Sequence, residues 1–346
     1  MKKKNIFIIG YFGFVTNQLD GQTVKTRNVL EVLKEKYTVG FYDTENLKNN
    51  KVSFLQLLWE ILKYENVFFI GGRNNLQYFF PILFLISKVK RGKIVYVVVG
   101  GWLYDFLKSS SYIYTYMVKN ISSVLVETNY LENELSTLGL KNTSWIPNFR
   151  IRPYNKLPKV KIDTDTLKIV FMARITKPKG IYLLFEFIEQ YLKNPANYNK
   201  KIIIDFYGPI KVDDELVFKG LVDKYSSHVN YKGILEPTEI YQVLPHYDVL
   251  VLPTFYEGEG FPGAILDAYL CGLPVITTRW KQIPEFVEEN HTGFLIDYDV
   301  EQLGKKIQSL ANNAELLTQM KSNAYRKSRQ YSADIGLEVL EKTMGL

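Results

Sequence analysis

Glu257-Gly258-Glu259-Gly260-Phe261-Pro262-Gly263-Ala264-Ile265-Leu266-Asp267, followed by Cys271-Gly272-Leu273-Pro274-Val275-Ile276, places two carboxylates, Glu259 and Asp267, eight residues apart across a glycine-rich turn. The run before it, Asp248 to Pro253, is apolar and β-branched up to the stopping proline, which reads as a buried strand. The pattern is therefore strand, glycine-rich turn, helix, and a second strand from Pro274 to Thr277. Such a βαβ unit opens a crevice at the carboxyl end of its first strand, where ligands of α/β proteins sit. Acids at that edge bond sugar hydroxyls, and the amides of a helix start hold phosphate oxygens. Together they suit a nucleotide sugar.

The same alternation runs outward in both directions. Strands are expected at 5–9, 38–42, 67–70, 94–99, 124–127 and 144–146, and again at 168–172, 202–207, 229–232, 249–252, 275–277 and 293–296. Helices lie between them, among them 23–35, 180–191 and 300–312, with a final helical stretch from about Ala314 to Met344. This spacing implies two α/β domains, each a mostly parallel sheet covered on both faces. The prolines Pro147, Pro153 and Pro158 and a lack of periodicity mark a linker at 151–166, between domains at 1–150 and 167–327.

Composition narrows the function classes. The 346 residues fit two domains, and 47% apolar with 23% charged residues is globular. A single cysteine, Cys271, excludes an intrachain disulfide and suits a reducing, cytoplasmic compartment. The three histidines, His228, His246 and His291, are scattered, so no zinc site can be assembled from spacing. Asp163-Thr164-Asp165 matches a D-x-D metal motif but has no strand before it, and no metal is expected. Gly10 and Gly13 with Asp43 lack the full dinucleotide-binding glycine pattern.

Residues 1–150 carry 19 Lys and Arg against 11 acids, whereas residues 151–346 carry 24 against 25. A basic, aromatic-rich first half suggests an anionic acceptor or peripheral contact with an anionic membrane, rather than nucleic acid. The start Lys2–Lys4 with Ile6–Ile9 mimics a signal peptide but lacks a small-residue cleavage site, and is taken as the first strand. The apolar run Leu76–Ile86 is too short for the roughly 20 residues of a spanning helix and is expected as one buried or interface-dipping helix.

The Glu259 and Asp267 pattern with its Gly-x-Pro-Val strand resembles the E-x7-E signature of retaining glycosyltransferases of family 4, group 1. That resemblance implies the GT-B fold, two Rossmann-like doubly wound parallel-sheet domains facing across a cleft. It departs twice: Asp267 stands where Glu is usual, and Pro262 where a second Gly is common. It also implies that the Arg174 and Lys179 pair, after the strand ending near Met172, holds the donor diphosphate in place of a metal. Glu259 would then contact the donor sugar and Asp267 the ribose, with Gly260, Phe261, Gly263 and Ala264 adding bonds through their amides. In the first domain the loop before Thr23 resembles one that closes over the donor, where Gly21 can take positive φ and the helix start at Gly21 and Gln22 offers free amides. Gly101, Trp102, Glu127 and Arg73 are acceptor-side candidates, although many relatives carry a His near Gly101 and this chain has none. The terminal helix, about 328–346, is implied to pack back on the first domain. The reading is a retaining, metal-independent transferase moving sugar from a nucleotide sugar to a glycan or lipid-linked acceptor, in bacterial surface polysaccharide assembly. The alternatives are a nucleotide-sugar epimerase or phosphorylase on the same fold, and a non-catalytic binding subunit of a paired transferase.

Overall fold

The computed structural model describes residues 5–16, 18, 20–48, 52–89, 92–151 and 163–345. Lys2–Lys4, Asn17 and Leu19 of the first loop, and linker residues 152–162 with Pro153 and Pro158, lie outside the described residues. Two compact units result, one from the amino terminus to Ile151 together with Tyr331 onward, the other from Arg152 to Gln330.

The first unit is built on β1 (Asn5–Gly10), β2 (Thr38–Asp43), β3 (Asn66–Gly71), β4 (Lys93–Val98), β5 (Ser123–Val126) and β6 (Thr143–Trp145). They lie in the order β2-β1-β3-β4-β5-β6, every neighbouring pair parallel. Alternate residues of each strand enter opposite cores, as a period of two requires. Ile6, Ile8, Phe68 and Ile70 pack under the helices Gly21–Lys34 and Ala333–Met344, through Val29, Leu33, Leu337 and Leu340. Phe7, Ile9, Phe69 and Tyr96 pack on the other face against Leu76, Phe80, Leu83 and Leu103. Burial on both faces explains why β1, β3, β4 and β5 are near-continuous apolar runs, whereas the edge strands β2 and β6 stay partly exposed.

The second unit repeats the plan with β7 (Thr166–Met172), β8 (Lys201–Tyr207), β9 (Val229–Tyr231), β10 (Val249–Leu252), β11 (Val275–Thr278) and β12 (Gly293–Ile296). The order is β12-β11-β10-β7-β8-β9, again all parallel. The chain winds outward from β7 in one direction and from β10 in the other, so these two neighbours form the switch point where loops diverge and a crevice opens.

Three expectations are corrected. The apolar run 76–86 is two helices, Arg73–Tyr78 and Phe80–Val89, which meet at Phe79, where Pro81 sits in the first turn of the second helix. The final stretch is also broken: Ala314–Lys327 ends in a 3-10 turn, Ser328–Tyr331, before Ala333–Met344 begins. Thr166 belongs to β7 rather than to the linker, because Asp163 Oδ1 accepts from the amides of Asp165 and Thr166 and turns the chain into the strand.

Gly336 lets the last helix approach the first sheet, because a Cβ there would run into the Phe149 ring. Gly336→Ala is therefore expected to destabilise the protein by about 1–3 kcal/mol, as overpacking does. Gly220→Ala, in the exposed interior of the helix Val212–Lys224 with open space around it, should instead stabilise by about 0.5–1 kcal/mol. Urea unfolding of the two variants checks the pair.

Candidate active site

The loops leaving β7 and β10 are joined at the switch point. After β7 a 3-10 turn, Lys177–Lys179, carries Pro178, whose carbonyl accepts from the Phe255 amide at 2.8 Å and the Thr254 hydroxyl at 3.2 Å. Gly180 follows with φ +84°, and a Cβ there would strike the Pro253 carbonyl. Only glycine allows the helix Ile181–Lys193 to start so close to the end of β10.

This junction brings Lys179 and Glu259 together. Lys179 Nζ lies 2.5 Å from Glu259 Oε2, both side chains buried, and the Thr254 hydroxyl donates to the same oxygen at 2.9 Å. Beside them the Tyr256 ring faces two cations, Lys179 Nζ 4.9 Å and the Arg174 guanidinium 5.4 Å from its centroid. Arg174 itself is exposed. An aromatic face attracts each cation and partly offsets their mutual repulsion. Tyr256 is held in turn by Trp280, whose indole N–H donates to the Tyr256 carbonyl at 2.9 Å.

The helix Gly263–Leu270 starts after Pro262 with no side-chain cap and no acid in its first turn. Gly263 and Ala264 thus supply amides of the kind a helix start leaves without intrahelical acceptors. Gly260 is buried, and the Phe261 ring stacks on Phe286 with centroids 3.8 Å apart, so it belongs to the core. Asp267 is buried one turn into the helix, where Tyr241 Oη donates to its Oδ1 at 2.9 Å.

Asp214, not foreseen from sequence, holds the cation-bearing loop. It accepts from the Thr176 hydroxyl at 2.7 Å, the Lys177 amide at 3.2 Å and Tyr182 Oη at 2.7 Å. Burial alone would raise its carboxyl, but the bonds from Thr176, Tyr182 and Lys177 bring it below the ordinary carboxylate value of 3.8.

The first-unit candidates gather at the carboxyl edge of their own sheet. Gly21 is the first residue of a helix and has no positive φ; the helix start is closed by Asp20, whose Oδ1 accepts from Gln22 and Thr23 at 2.9 Å. The free amides expected at Gln22 are therefore engaged, since Asp20 and Thr23 form a capping box. Glu127 is buried against Lys25, 2.7 Å away, a partner that sequence reading missed. The Trp102 indole donates to the Val99 carbonyl at 2.7 Å, and its ring meets Phe106 edge-on, with Arg73 over the same Phe106 ring at 5.5 Å. Gly101 lies half-buried between them in sequence. Asp43 accepts from the Phe12 and Phe14 amides at 3.1 Å and closes the loop after β1. His291 pairs with Glu288 at 2.9 Å on an exposed turn. Among the described residues no three His, Cys, Asp or Glu side chains cluster as a metal site.

A protein-family model described as Glycosyl transferases group 1 matches residues 155–327, half of the chain. The chain belongs to this family. Similar proteins include the putative colanic acid biosynthesis glycosyltransferase WcaL of Escherichia coli (strain K12), 29% identical over 180 residues, covering 50% of this chain and 40% of that protein. The capsular polysaccharide biosynthesis glycosyltransferase CapM of Staphylococcus aureus is 27% identical over 218 residues, covering 61% and 55%. The chain thus spans about half the length of these group 1 relatives. Among solved structures, Anabaena Alr3699/HepE in complex with UDP superposes with a TM-score of 0.78 at 15% identity, over 99% of this chain and 100% of that one. Sucrose-phosphate synthase from Thermosynechococcus elongatus gives 0.77 at 15% identity, over 98% of both. The fold of this group 1 chain is GT-B.

Two predictions follow from the geometry of the site. Lys179→Ala leaves Glu259 buried without its counter-ion and should cost about 3–5 kcal/mol, whereas Lys179→Ala/Glu259→Ala should be less destabilised than the single variant. Urea denaturation of both checks it. The folded Asp214 carboxyl titrates below its unfolded value, so its contribution is full above that value and is lost as pH falls through the folded one. Wild type should therefore lose stability more steeply than Asp214→Asn below about pH 4, measured as melting temperature against pH.

Proposed function

We propose that this chain is a retaining glycosyltransferase that takes a nucleotide-diphosphate sugar in its second unit and passes the sugar to a hydroxyl of a glycan or lipid-linked acceptor. The observation that carries the reading is the buried Lys179–Glu259 pair with Arg174 and Tyr256 at the β7/β10 switch point. Cleaving the bond between the sugar C1 and its phosphate oxygen loads negative charge on the leaving diphosphate. Arg174 and Lys179 are cations fixed where that charge develops, and their effect is greatest in a dry site. An arriving diphosphate exchanges with Glu259 as the partner of Lys179. The carboxylate so released accepts hydrogen bonds from donor-sugar hydroxyls.

Asp267, with Tyr241 on one oxygen, would bond the ribose, and the amides at Gly263 and Ala264 would hold phosphate. The acceptor hydroxyl attacks C1 on the face the diphosphate leaves, and its proton passes to the leaving phosphate oxygen. No protein nucleophile is needed, and the two cations fill the part a metal ion would otherwise play. A structural neighbour holds UDP, which makes UDP the first nucleotide to try. The colanic acid and capsule names of the relatives point to bacterial surface polysaccharide assembly.

Thermal unfolding with UDP, GDP or ADP in EDTA tests the reading. A ligand at 100 times its dissociation constant adds about 2.7 kcal/mol. One of the three nucleotides should give that stabilisation, and it should be largely lost in Arg174→Ala and in Lys179→Ala/Glu259→Ala. No stabilisation of wild type by any of them would remove the donor-site assignment, and conversion of the nucleotide sugar without an acceptor would identify an epimerase instead.

A further inference from the structure

The first unit has an exposed face that the donor chemistry does not use. Residues 66–126 hold seven Lys and Arg against one acid, Asp105, which is +6 of the chain's net +7. Two helices of this stretch, Phe80–Val89 and Tyr112–Lys119, contain no carboxylate and pack side by side. Tyr116 meets Phe84 edge-on with centroids 5.9 Å apart, and Lys88 Nζ donates to the Asn120 carbonyl at 3.0 Å. On the first helix Leu85 and Val89, one turn apart, are 66% and 79% exposed. On the second Tyr112 is 70% exposed, with Ile113 and Tyr116 exposed beside it. Lys88 lies over the Phe84 ring at 4.6 Å and Lys119 over Tyr112 at 5.9 Å, so the cations lie along the same face as the apolar side chains.

Single exposed apolar residues are ordinary, but aliphatics, tyrosines and lysines sharing one acid-free face are not. We infer that this face lies on an anionic lipid bilayer, with Leu85, Val89 and Ile113 entering the acyl boundary. Tyr112 and Tyr116 would sit at headgroup depth, and Lys88 and Lys119 would reach lipid phosphates. Tyrosine at the interface and lysine stems along apolar surface are the side chains that match a layer apolar within and anionic outside. A second copy of the chain is disfavoured because two such basic faces repel. A nucleic acid would stack on Tyr112 and Tyr116 but give Leu85, Val89 and Ile113 no apolar partner. No helix among the described residues is long and apolar enough to cross a membrane, so contact would be from one side. The inference rests on this surface alone and not on the transferase reading.

Sedimentation with phosphatidylcholine vesicles, with and without phosphatidylglycerol, tests it in the absence of nucleotide. The protein should bind only the anionic vesicles, and less as salt rises. Lys88→Glu/Lys119→Glu should weaken partitioning by roughly tenfold or more, since each basic residue near an anionic surface contributes a factor of about five. Leu85→Ser/Val89→Ser should weaken it comparably. Val212→Ser/Leu216→Ser, at the 84% and 86% exposed positions beside Asp213 and Glu215 in the second unit, should leave it unchanged. Absence of binding to anionic vesicles at low salt, or binding unaltered in both first-unit variants, would overturn the inference. So would a dimer by light scattering that Leu85→Ser/Val89→Ser dissolves, or an RNA oligonucleotide that binds in place of vesicles. UDP binding by the same variants is measured separately, so loss of one activity is distinguishable from loss of the other.

Discussion

Each unit is organised around a lysine and a glutamate buried together at the carboxyl edge of its sheet. In the first, Lys25 reaches from the helix Gly21–Lys34 to Glu127 after β5 and to the Val98 carbonyl at the end of β4, so one ammonium ties three elements. Burial pushes that ammonium below its ordinary range, with Glu127 working against it. In the second, Lys179 and Glu259 join the loops after β7 and β10. Buried ion pairs add little net stability, because desolvation offsets their attraction, so their main effect here is on position. The two differ in what lies around them. Lys25 is sealed among protein acceptors, whereas Lys179 sits beside an exposed arginine and a tyrosine face.

Most of the architecture was legible because the inner strands of both sheets are buried on both faces. A strand such as Val249–Leu252 has no polar position to obscure it, and each described strand overlaps a run expected from sequence. Helix breaks were harder to read. The run Leu76–Ile86 keeps its apolar character through Phe79, and Ser328–Tyr331 keeps the composition of the helix before it. At the first break the local signal is Pro81, which suits the first turn of a new helix and was hidden by the apolar run around it.

The candidate site was legible in part for a related reason. Lys179 and Glu259 are 80 residues apart, and spacing within a motif says nothing of their mutual pairing. Lys25 with Glu127 and the loop residues with Asp214 are likewise long-range partners. Asp214 looks like any acid near a helix start until its three donors are seen. Tyr256 stands one residue before the quoted motif, yet its role depends on two cations that arrive from another loop. Asp20 could have been read, since Asp followed three residues later by a bonding side chain at Thr23 is a cap signal.

That cap decides which helix start can serve an anion. The helix Gly21–Lys34 begins with a carboxylate bonded to its first amides, so its positive end is already neutralised. A phosphate arriving there would have to displace Asp20. The helix Gly263–Leu270 begins at proline, which offers no side-chain acceptor, and the acid it does carry, Asp267, is one turn further in and engaged by Tyr241. Its end keeps the positive potential of the macrodipole, close in sequence to the loop that pairs with Lys179. Two cations, Arg174 and Lys179, stand at that edge of a unit that is nearly neutral overall, while residues 1–150 carry the chain's surplus of basic side chains.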